Sequence, residues 1–526
     1  MNKKPDIFND VIGPVMRGPS SSHTAASWRI ANICLALLNE PLKKAIVDFD
    51  RNGAWAPNFR EQGTCLGIEG GLLGLDMTDD RMKNTAQMLV DLGVSVNYEI
   101  NSFKTDHVNT VRLKLEGIHG NSIRVLAVSL GGGSFEIRNI DGFDIRINGG
   151  YYELLLSIED NSANLEKIKA LFSENSLLFK STQENRLLVN LKFSDEISAD
   201  TLNKLRGLTG FEKQIIVKPV LPIIEGNDVE VPFSSIDSLL EYASNEDYDL
   251  GEIGLIYEKC LSGLPETDVI VKMKNIVGII EKSIVKGLAG TEYEDRILPQ
   301  QSHLVQKAQK KGKILPNSII NQIVANVSAI MESKSAMEVV VANPTAGSCG
   351  AVGGVLRAVA DEIKASDGEL VKAYFASGII GAYFAMGPGF SAEEHGCQVE
   401  CGASSGMAAA GIVQLFGGTA KQAIDAASMA IQNMIGLVCD PIADRVEAPC
   451  LGKNISAAVN ALTSATMACS GFNALIPLNE VIETVSSVSS QMPSCVKCTG
   501  KGGLAITKTA CDLKEKLKSK SAPATS

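Results

Sequence analysis

The opening residues MNKKPDIFNDVIG carry no long apolar core behind their charged start, which a secretion signal requires, so the mature chain is expected to begin here and stay in the cytosol. A membrane span is missing too. The stretch from Ala373 to Phe390 is uncharged but broken by Gly378, Gly381, Gly387, Pro388 and Gly389. It barely reaches the ~18 residues a crossing helix needs, and is expected to be a buried helix that stops at Gly-Pro-Gly. Basic residues are too few for nucleic acid: 49 Lys and Arg stand against 60 Asp and Glu, for a net charge of −11, and no basic stripe interleaves with aromatics. A small zwitterionic ligand suits this charge balance better. Histidine is scarce, with five in the chain, and only His23 and His395 fall in motif-dense stretches. Each can serve as a hydrogen-bonded structural residue or as a base.

What is present argues for a large, multidomain enzyme-like chain. At 526 residues it exceeds what one hydrophobic core supports and should hold two to four domains, and 45% hydrophobic residues make it globular. Twelve cysteines without a secretion signal do not form a disulfide framework, because cytosolic thiols are kept reduced. Cys34, Cys65, Cys260 and Cys469 sit in apolar or unremarkable surroundings and read as small core residues. Cys349, Cys397, Cys401, Cys439, Cys450, Cys495, Cys498 and Cys511 crowd Gly-rich and turn-flanked segments of the C-terminal third, where a metal centre would recruit ligands.

Three regions follow from periodicity. Residues 1–149 mix an apolar helix, TAASWRIANICLALLNE, with strands such as KKAIVDFD, TVRLKLEG and IRVLAVSLGGG, which predicts an α+β domain. Residues 150–225 read strand, helix, strand, strand, helix, strand, the βαββαβ order of a ferredoxin-like domain. From 234 to 526 helical spacing dominates, in SIINQIVANVSAIMES, AVGGVLRAVADEIKA, GMAAAGIVQLFGG, AKQAIDAASMAIQNMIG and SAAVNALTSATMAC. An all-α domain of close-packed helices is expected there, with its chemistry on loops.

Three stretches carry candidate chemistry. In MRGPSSSHT, Ser20, Ser21, Ser22, His23 and Thr24 follow a Gly-Pro pair; hydroxyls and open amides there can cap a helix or cradle a carboxylate or phosphate. VANPTAGSCGAVGG runs a Gly-rich turn into a helix, with Asn343 and Thr345 near its start and no Walker ending, so it suits either carboxylate binding or tight helix packing. Cys397 and Cys401 in EEHGCQVECG are four apart where a helix begins and could share one face, while GLVCDPIADRVEAPC adds Cys439 and Cys450 beside prolines. One CxxC, Cys495 and Cys498, is compatible with zinc, redox chemistry or chance. Singletons scattered over loops also suit an iron–sulfur cubane, which collects thiolates from distant turns; three thiolates would leave one iron open as a Lewis acid.

Taken together, IGPVMRGPSSSHTA, NPTAGSCGAVGGVLRAV, GCQVECGASSGMAAAG, LVCDPIADRVEAPC and KGGLAITKTAC occur in an order that resembles the iron–sulfur-dependent L-serine dehydratases, or L-serine ammonia-lyases, in a single-chain form with the β portion before the α portion. The resemblance covers nearly the whole chain. It implies a 4Fe-4S cluster held by Cys397, Cys439 and Cys450, with Cys511 as a fourth ligand matching the tail cysteine of relatives. It further implies that residues 1–149 are an allosteric substrate-binding-like β domain and 150–225 an ACT-like module. Ser20 to Thr24, Asn343 and Thr345 are then substrate- or effector-binding. L-serine would become pyruvate and ammonia, in amino-acid catabolism and gluconeogenesis, by a chain expected to be a homodimer. The α-proton base is not identified by motif. Two departures stand out: the chain runs on past Cys511 to Ser526, and Leu451, Gly452 and Lys453 replace the family's Glu-Arg stretch before Asn454. The alternatives are an L-cysteine desulfidase-type lyase, a non-catalytic amino-acid sensor, and a pyridoxal phosphate dehydratase, for which no lysine lies in a recognisable motif.

Overall fold

In the computed structural model, which describes residues 4–172, 177–183, 185–226, 230–293, 296–316 and 318–521, the chain divides into two compact units. One comprises residues 22–228; the other joins residues 1–21 to 229–526.

In the first unit, Thr110–Gly117 buries Val111, Leu113 and Leu115 and turns Arg112, Lys114 and Glu116 outward, the two-residue alternation of a half-buried strand. It sits inside a six-stranded sheet of order Ser95–Asn101, Leu42–Asp50, Thr110–Gly117, Ser122–Gly131, Ser134–Ile140 and Phe143–Ile147. The Leu42 strand pairs parallel with the Ser95 strand and antiparallel with the Thr110 strand. Helix Ala26–Leu38 packs Ile30, Ile33, Cys34 and Leu37 into the same core, so Cys34 is a core thiol as expected.

The βαββαβ rhythm is observed as Tyr152–Glu159, helix Ser162–Leu171, Leu177–Gln183, Arg186–Phe193, helix Ala199–Leu205 and Lys213–Val217. The last strand lies beside the first, and the sheet continues through the third to the second, with every pair antiparallel. This is the ferredoxin-like arrangement. Leu154, Leu156, Ile158, Leu187, Val189 and Leu191 line one face against Ile168 and Leu205 of the helices. Leu155 and Val217, facing the other way, join the core of the six-stranded sheet.

The second unit is helical. Capping boxes at Asp249, Ser366 and Thr419 start helices Leu250–Ser262, Asp367–Met386 and Ala420–Gln432 by satisfying their first free amides. Helix Asp367–Met386 stops at Gly387, ahead of Pro388 and Gly389, and no helix among the described residues is long and apolar enough to cross a membrane. Cys349–Ile363, Cys401–Leu415 and Cys450–Cys469 pack around the candidate site. Small residues let backbones touch: a Cβ on Gly254 would stand 2.2 Å from the carbonyl oxygen of Phe375. One short sheet interrupts the expected all-α pattern, where Val15–Arg17 pairs antiparallel with Val339–Val341. The N-terminal segment thereby belongs to the helical unit rather than to the sheet that follows it in sequence.

Candidate functional site

The sulfurs of Cys397 and Cys439 and a carboxylate oxygen of Glu400 lie within 4.8 Å of one another, a donor group able to hold a metal ion. Local sequence explains the approach. Gly396, at φ +77, occupies a left-handed region that glycine fills without strain. It leads into the tight turn Cys397–Val399. The Gln398 side chain, fully buried, then ties that turn down: its Nε2 donates to the His395 carbonyl at 3.0 Å and to Ser489 Oγ at 2.9 Å, and its Oε1 accepts from Gly436 N at 2.9 Å. Cys397 and Cys401 do not share a helix face. The helix begins only at Cys401, whose side chain packs with Ala351 and Ala457, whereas Cys397 packs with Cys439 and Ala392.

Cys450 is the first residue of helix Cys450–Cys469 and is buried, but it is not in the tight Cys397, Glu400, Cys439 group. It is joined to the site through Asn454, one turn on. Asn454 Nδ2 donates to the carbonyls of Cys450 (2.9 Å) and Gly347 (2.8 Å), and its Oδ1 accepts from Gly350 N (3.1 Å) and Ala351 N (3.2 Å). One amide thus fastens the Cys450 helix to the NPTAGSCG turn.

That turn meets the cysteines at Glu400. Thr345 Oγ1 donates to Glu400 Oε1 at 2.7 Å, while Glu400 Oε2 lies 3.7 Å from Cys397 Sγ. Gly347 permits the closeness, since a Cβ there would stand 2.7 Å from Glu400 Oε1. Ser21 Oγ accepts from Ala346 N at 3.4 Å, bringing the first half of the PSSSHT stretch to the same turn. Beside it, Asn343 is fully buried with neither its amide oxygen nor its amide nitrogen hydrogen-bonded. A buried amide left without partners costs about 1–3 kcal/mol per group, so a polar partner at Asn343 would be favoured.

The surroundings favour a thiolate at Cys397 and the neutral thiol at Cys401, Cys439 and Cys450. Hydrogen bonds from Cys401 and then Cys439, helped by Lys453, hold the Cys397 thiol well below the ordinary range despite its burial. Burial opposes the charge of Lys453, yet the Cys397 thiolate and Asp440 outweigh it and raise its pKa. Its Nζ donates to Asp440 Oδ1 at 2.6 Å and to the Val438 carbonyl at 2.7 Å. Glu400 is pushed up by burial and by the neighbouring Cys397 charge, and Cys450 by burial first and then by Cys397.

Ser20 to Thr24 are all buried. Ser22 Oγ and His23 Nδ1 are 3.0 Å apart, His23 Nε2 meets Asn58 Oδ1 at 3.1 Å, and Thr24 Oγ1 donates to the Gln62 carbonyl at 3.1 Å. No side chain caps helix Ala26–Leu38. Burial lowers the His23 pKa to about 4. Cys349 faces Met331, with burial raising its thiol to about 12. Cys511 is exposed on helix Lys508–Ser521. His395 is half-buried, 3.6 Å from the Glu394 carboxylate. Glu400, Asp440 and Gln398 are the site residues that motif reasoning passed over. The signal for Glu400 was there, as the one charge in the otherwise neutral run GCQVECGASSGMAAAG.

The serine dehydratase alpha chain family model matches residues 152–505. The chain is 33% identical over 285 residues to a probable L-serine dehydratase, alpha chain, of Bacillus subtilis (strain 168), covering 54% of this chain and 95% of that one. It is also 33% identical over 169 residues to a probable L-serine dehydratase, beta chain, of the same organism, covering 32% of this chain and 76% of that one. To L-serine dehydratase 1 of Escherichia coli (strain K12) it is 32% identical over 299 residues, covering 54% of this chain and 64% of that one.

Proposed function

Since this chain belongs to the serine dehydratase alpha chain family and carries a beta-chain-like part as well, we propose that it is an L-serine ammonia-lyase, converting L-serine to pyruvate and ammonia with a 4Fe-4S cluster. The observation that carries the reading is Glu400, which joins the buried thiols of Cys397 and Cys439 to a turn whose Asn343 amide is buried and unpartnered. A thiol site and a polar-ligand site are therefore one site.

The donor set fits the cluster. Soft thiolates are the ligands of iron–sulfur groups, Cys397 is held as a thiolate, and Lys453 offsets the accumulated negative charge. Cys397, Cys439 and Cys450 would hold it; when bound, it supplies a Lewis-acidic iron to polarise the substrate hydroxyl. The rest falls to the chain. The Asn343 amide and the Thr345 hydroxyl orient the carboxylate and ammonium of serine, with Ser21 supporting the turn through Ala346 N. Helix Cys349–Ile363 begins at this turn, and although Asn454 takes the amides of Gly350 and Ala351, the positive end of the helix dipole favours a carboxylate there. The burial of Asn343 and Thr345 keeps water from competing for these groups. Ser22, His23 and Thr24 belong to the β-type domain and serve substrate or effector binding, and the ferredoxin-like topology supports an ACT-like sensing module in residues 150–225.

The test is iron and sulfide content of anaerobically purified protein together with a serine-to-pyruvate assay. Cys397→Ala, Cys439→Ala and Cys450→Ala should each abolish cluster retention, and Cys34→Ala, a change in the sheet unit's core, should not. A fully loaded protein that makes no pyruvate from L-serine would sink the assignment.

A further inference from the structure

Cys498 and Cys401 are thiols at the site that the family order does not single out, and the CxxC spacing does not separate Cys498 from Cys495. Its surroundings do. The 494–498 segment runs along the Cys439 loop: Cys439 N donates to the Val496 carbonyl at 2.8 Å, and Cys498 N donates to the Cys439 carbonyl at 2.9 Å. Cys498 then takes φ +60, a left-handed conformation uncommon for any residue with a side chain. Such backbone outliers persist where the surroundings enforce them and cluster at functional positions. The turn sets the Cys498 sulfur against Cys439, with which it shares a hydrogen bond, and beside Cys397.

The stretch that follows is fastened to the same loop. Asp440 Oδ2 accepts from Leu504 N at 2.9 Å, while its Oδ1 takes the Lys453 ammonium at 2.6 Å. Backbone on one side and a buried ion pair on the other therefore hold Cys498 at the site. Cys401 also shares a hydrogen bond with Cys397, but it is the first residue of helix Cys401–Leu415, packs with Ala351 and Ala457, and its sulfur accepts from Asn454 Nδ2 at 3.8 Å, so it lies on the Cys397 side and not against Cys439. Cys511 is exposed, on a helix whose Lys514 pairs with Asp444.

We infer that Cys498, and not Cys511, is the fourth thiol of this centre, so that the resting cluster is ligated by sulfur at all of its irons. The inference rests on the cluster assignment made above. It makes the CxxC half functional, and it gives the fourth iron a thiolate, which substrate would have to displace, in a chain that runs on past Cys511.

The experiment compares wild type, Cys498→Ala, Cys498→Ser and Cys511→Ala, each reconstituted anaerobically with isotopically enriched iron and sulfide, by Mössbauer spectroscopy and by the rate of bleaching in air. Wild type and Cys511→Ala should show irons with only thiolate-type parameters. Both Cys498 variants should show one iron of distinct parameters, from an oxygen or water ligand, and should bleach several-fold faster. Cys498→Ser keeps the side-chain volume, so it carries the comparison if the alanine variant folds poorly; loss of the cluster from both variants with unchanged circular dichroism would equally support ligation. A distinct iron already present in wild type and unaltered by the Cys498 changes would overturn the inference, as would the distinct iron appearing in Cys511→Ala instead. Wild type that takes up no iron–sulfur cluster would overturn the cluster assignment itself, a separate failure.

Discussion

Asn454 uses both faces of its amide within the helical unit, accepting from two backbone amides and donating to two carbonyls and to the Cys401 sulfur. It is fully buried, so no water can replace these partners. Asn454→Leu should keep the volume but orphan several groups at about 1–3 kcal/mol each. A loss of about 3 kcal/mol or more in chemical denaturation of the metal-free protein is expected, together with weakened cluster retention; an effect under 1 kcal/mol would refute the role. His23 makes a different residue-scale case. Its pKa falls from 6.5 to about 4 because burial disfavours the imidazolium, against the raising effect of the Asn58 hydrogen bond. Between those values the unfolded chain binds a proton that the folded chain refuses, so stability is complete above pH 6.5 and declines as the pH falls toward 4. The decline attributable to His23 is at most about 3 kcal/mol. Trp55, with its ring 5.8 Å from His23, reports it by fluorescence. The stability difference between wild type and His23→Gln should shrink between pH 7 and pH 4.5, and a difference that does not change with pH would remove the explanation.

At the scale of elements, the turn at Gly396 decides where the Cys397 thiol points. A Cβ at this position would stand 2.9 Å from Met492 Cε and 3.1 Å from the Leu437 carbonyl, and the left-handed φ adds strain for any side chain. Gly396→Ala should therefore lower iron bound per chain by more than half while costing only about 1–2 kcal/mol of stability; iron analysis beside thermal unfolding separates the two. This turn also shows where the sequence was readable. Periodicity over ten or more residues found the long helices, and the regular alternation of short strand-like and helix-like runs found the βαββαβ module. The four-residue gap between Cys397 and Cys401 suggested one helical face, yet the helix starts a turn later, and hydrogen bonds from Gln398 to residues near 436 and 489 fix the actual geometry. Those partners lie tens of residues away and leave no periodic trace. Glu400 escaped for the same reason: its meaning comes from Thr345, more than fifty positions upstream. Cysteine type and motif order marked the candidate thiols; only tertiary contacts bring Cys498 against Cys439 and Cys401 against Cys397.

At the scale of the whole molecule, the helical unit is discontinuous in sequence, and its first piece is small but heavily buried. Ile7, Phe8, Val11, Ile12 and Met16 are each at most 1% exposed. Ile7 N donates to Glu258 Oε2 at 2.6 Å, Tyr257 Oη donates to the Pro5 carbonyl at 2.7 Å, and Val15–Arg17 completes the two-stranded sheet with Val339–Val341. Full burial of such side chains contributes about 1.5–3 kcal/mol apiece, which together rivals the total stability of a typical domain at about 5–15 kcal/mol. The N-terminal segment is thus a structural part of the helical unit, and the unit that intervenes in sequence is an insertion into it. Both tryptophans, Trp28 and Trp55, lie in the sheet unit, whereas most of the helix lies in the other. Two optical probes can therefore follow the units independently. Phe8, edge-on to Phe375 at 6.4 Å, is the clearest single test. Phe8→Ala should cost about 3–5 kcal/mol and shift the unfolding transition seen by far-UV circular dichroism to lower denaturant, while the tryptophan fluorescence transition holds its midpoint. Movement of the fluorescence transition alone would assign the first twenty residues to the sheet unit and contradict the packing described.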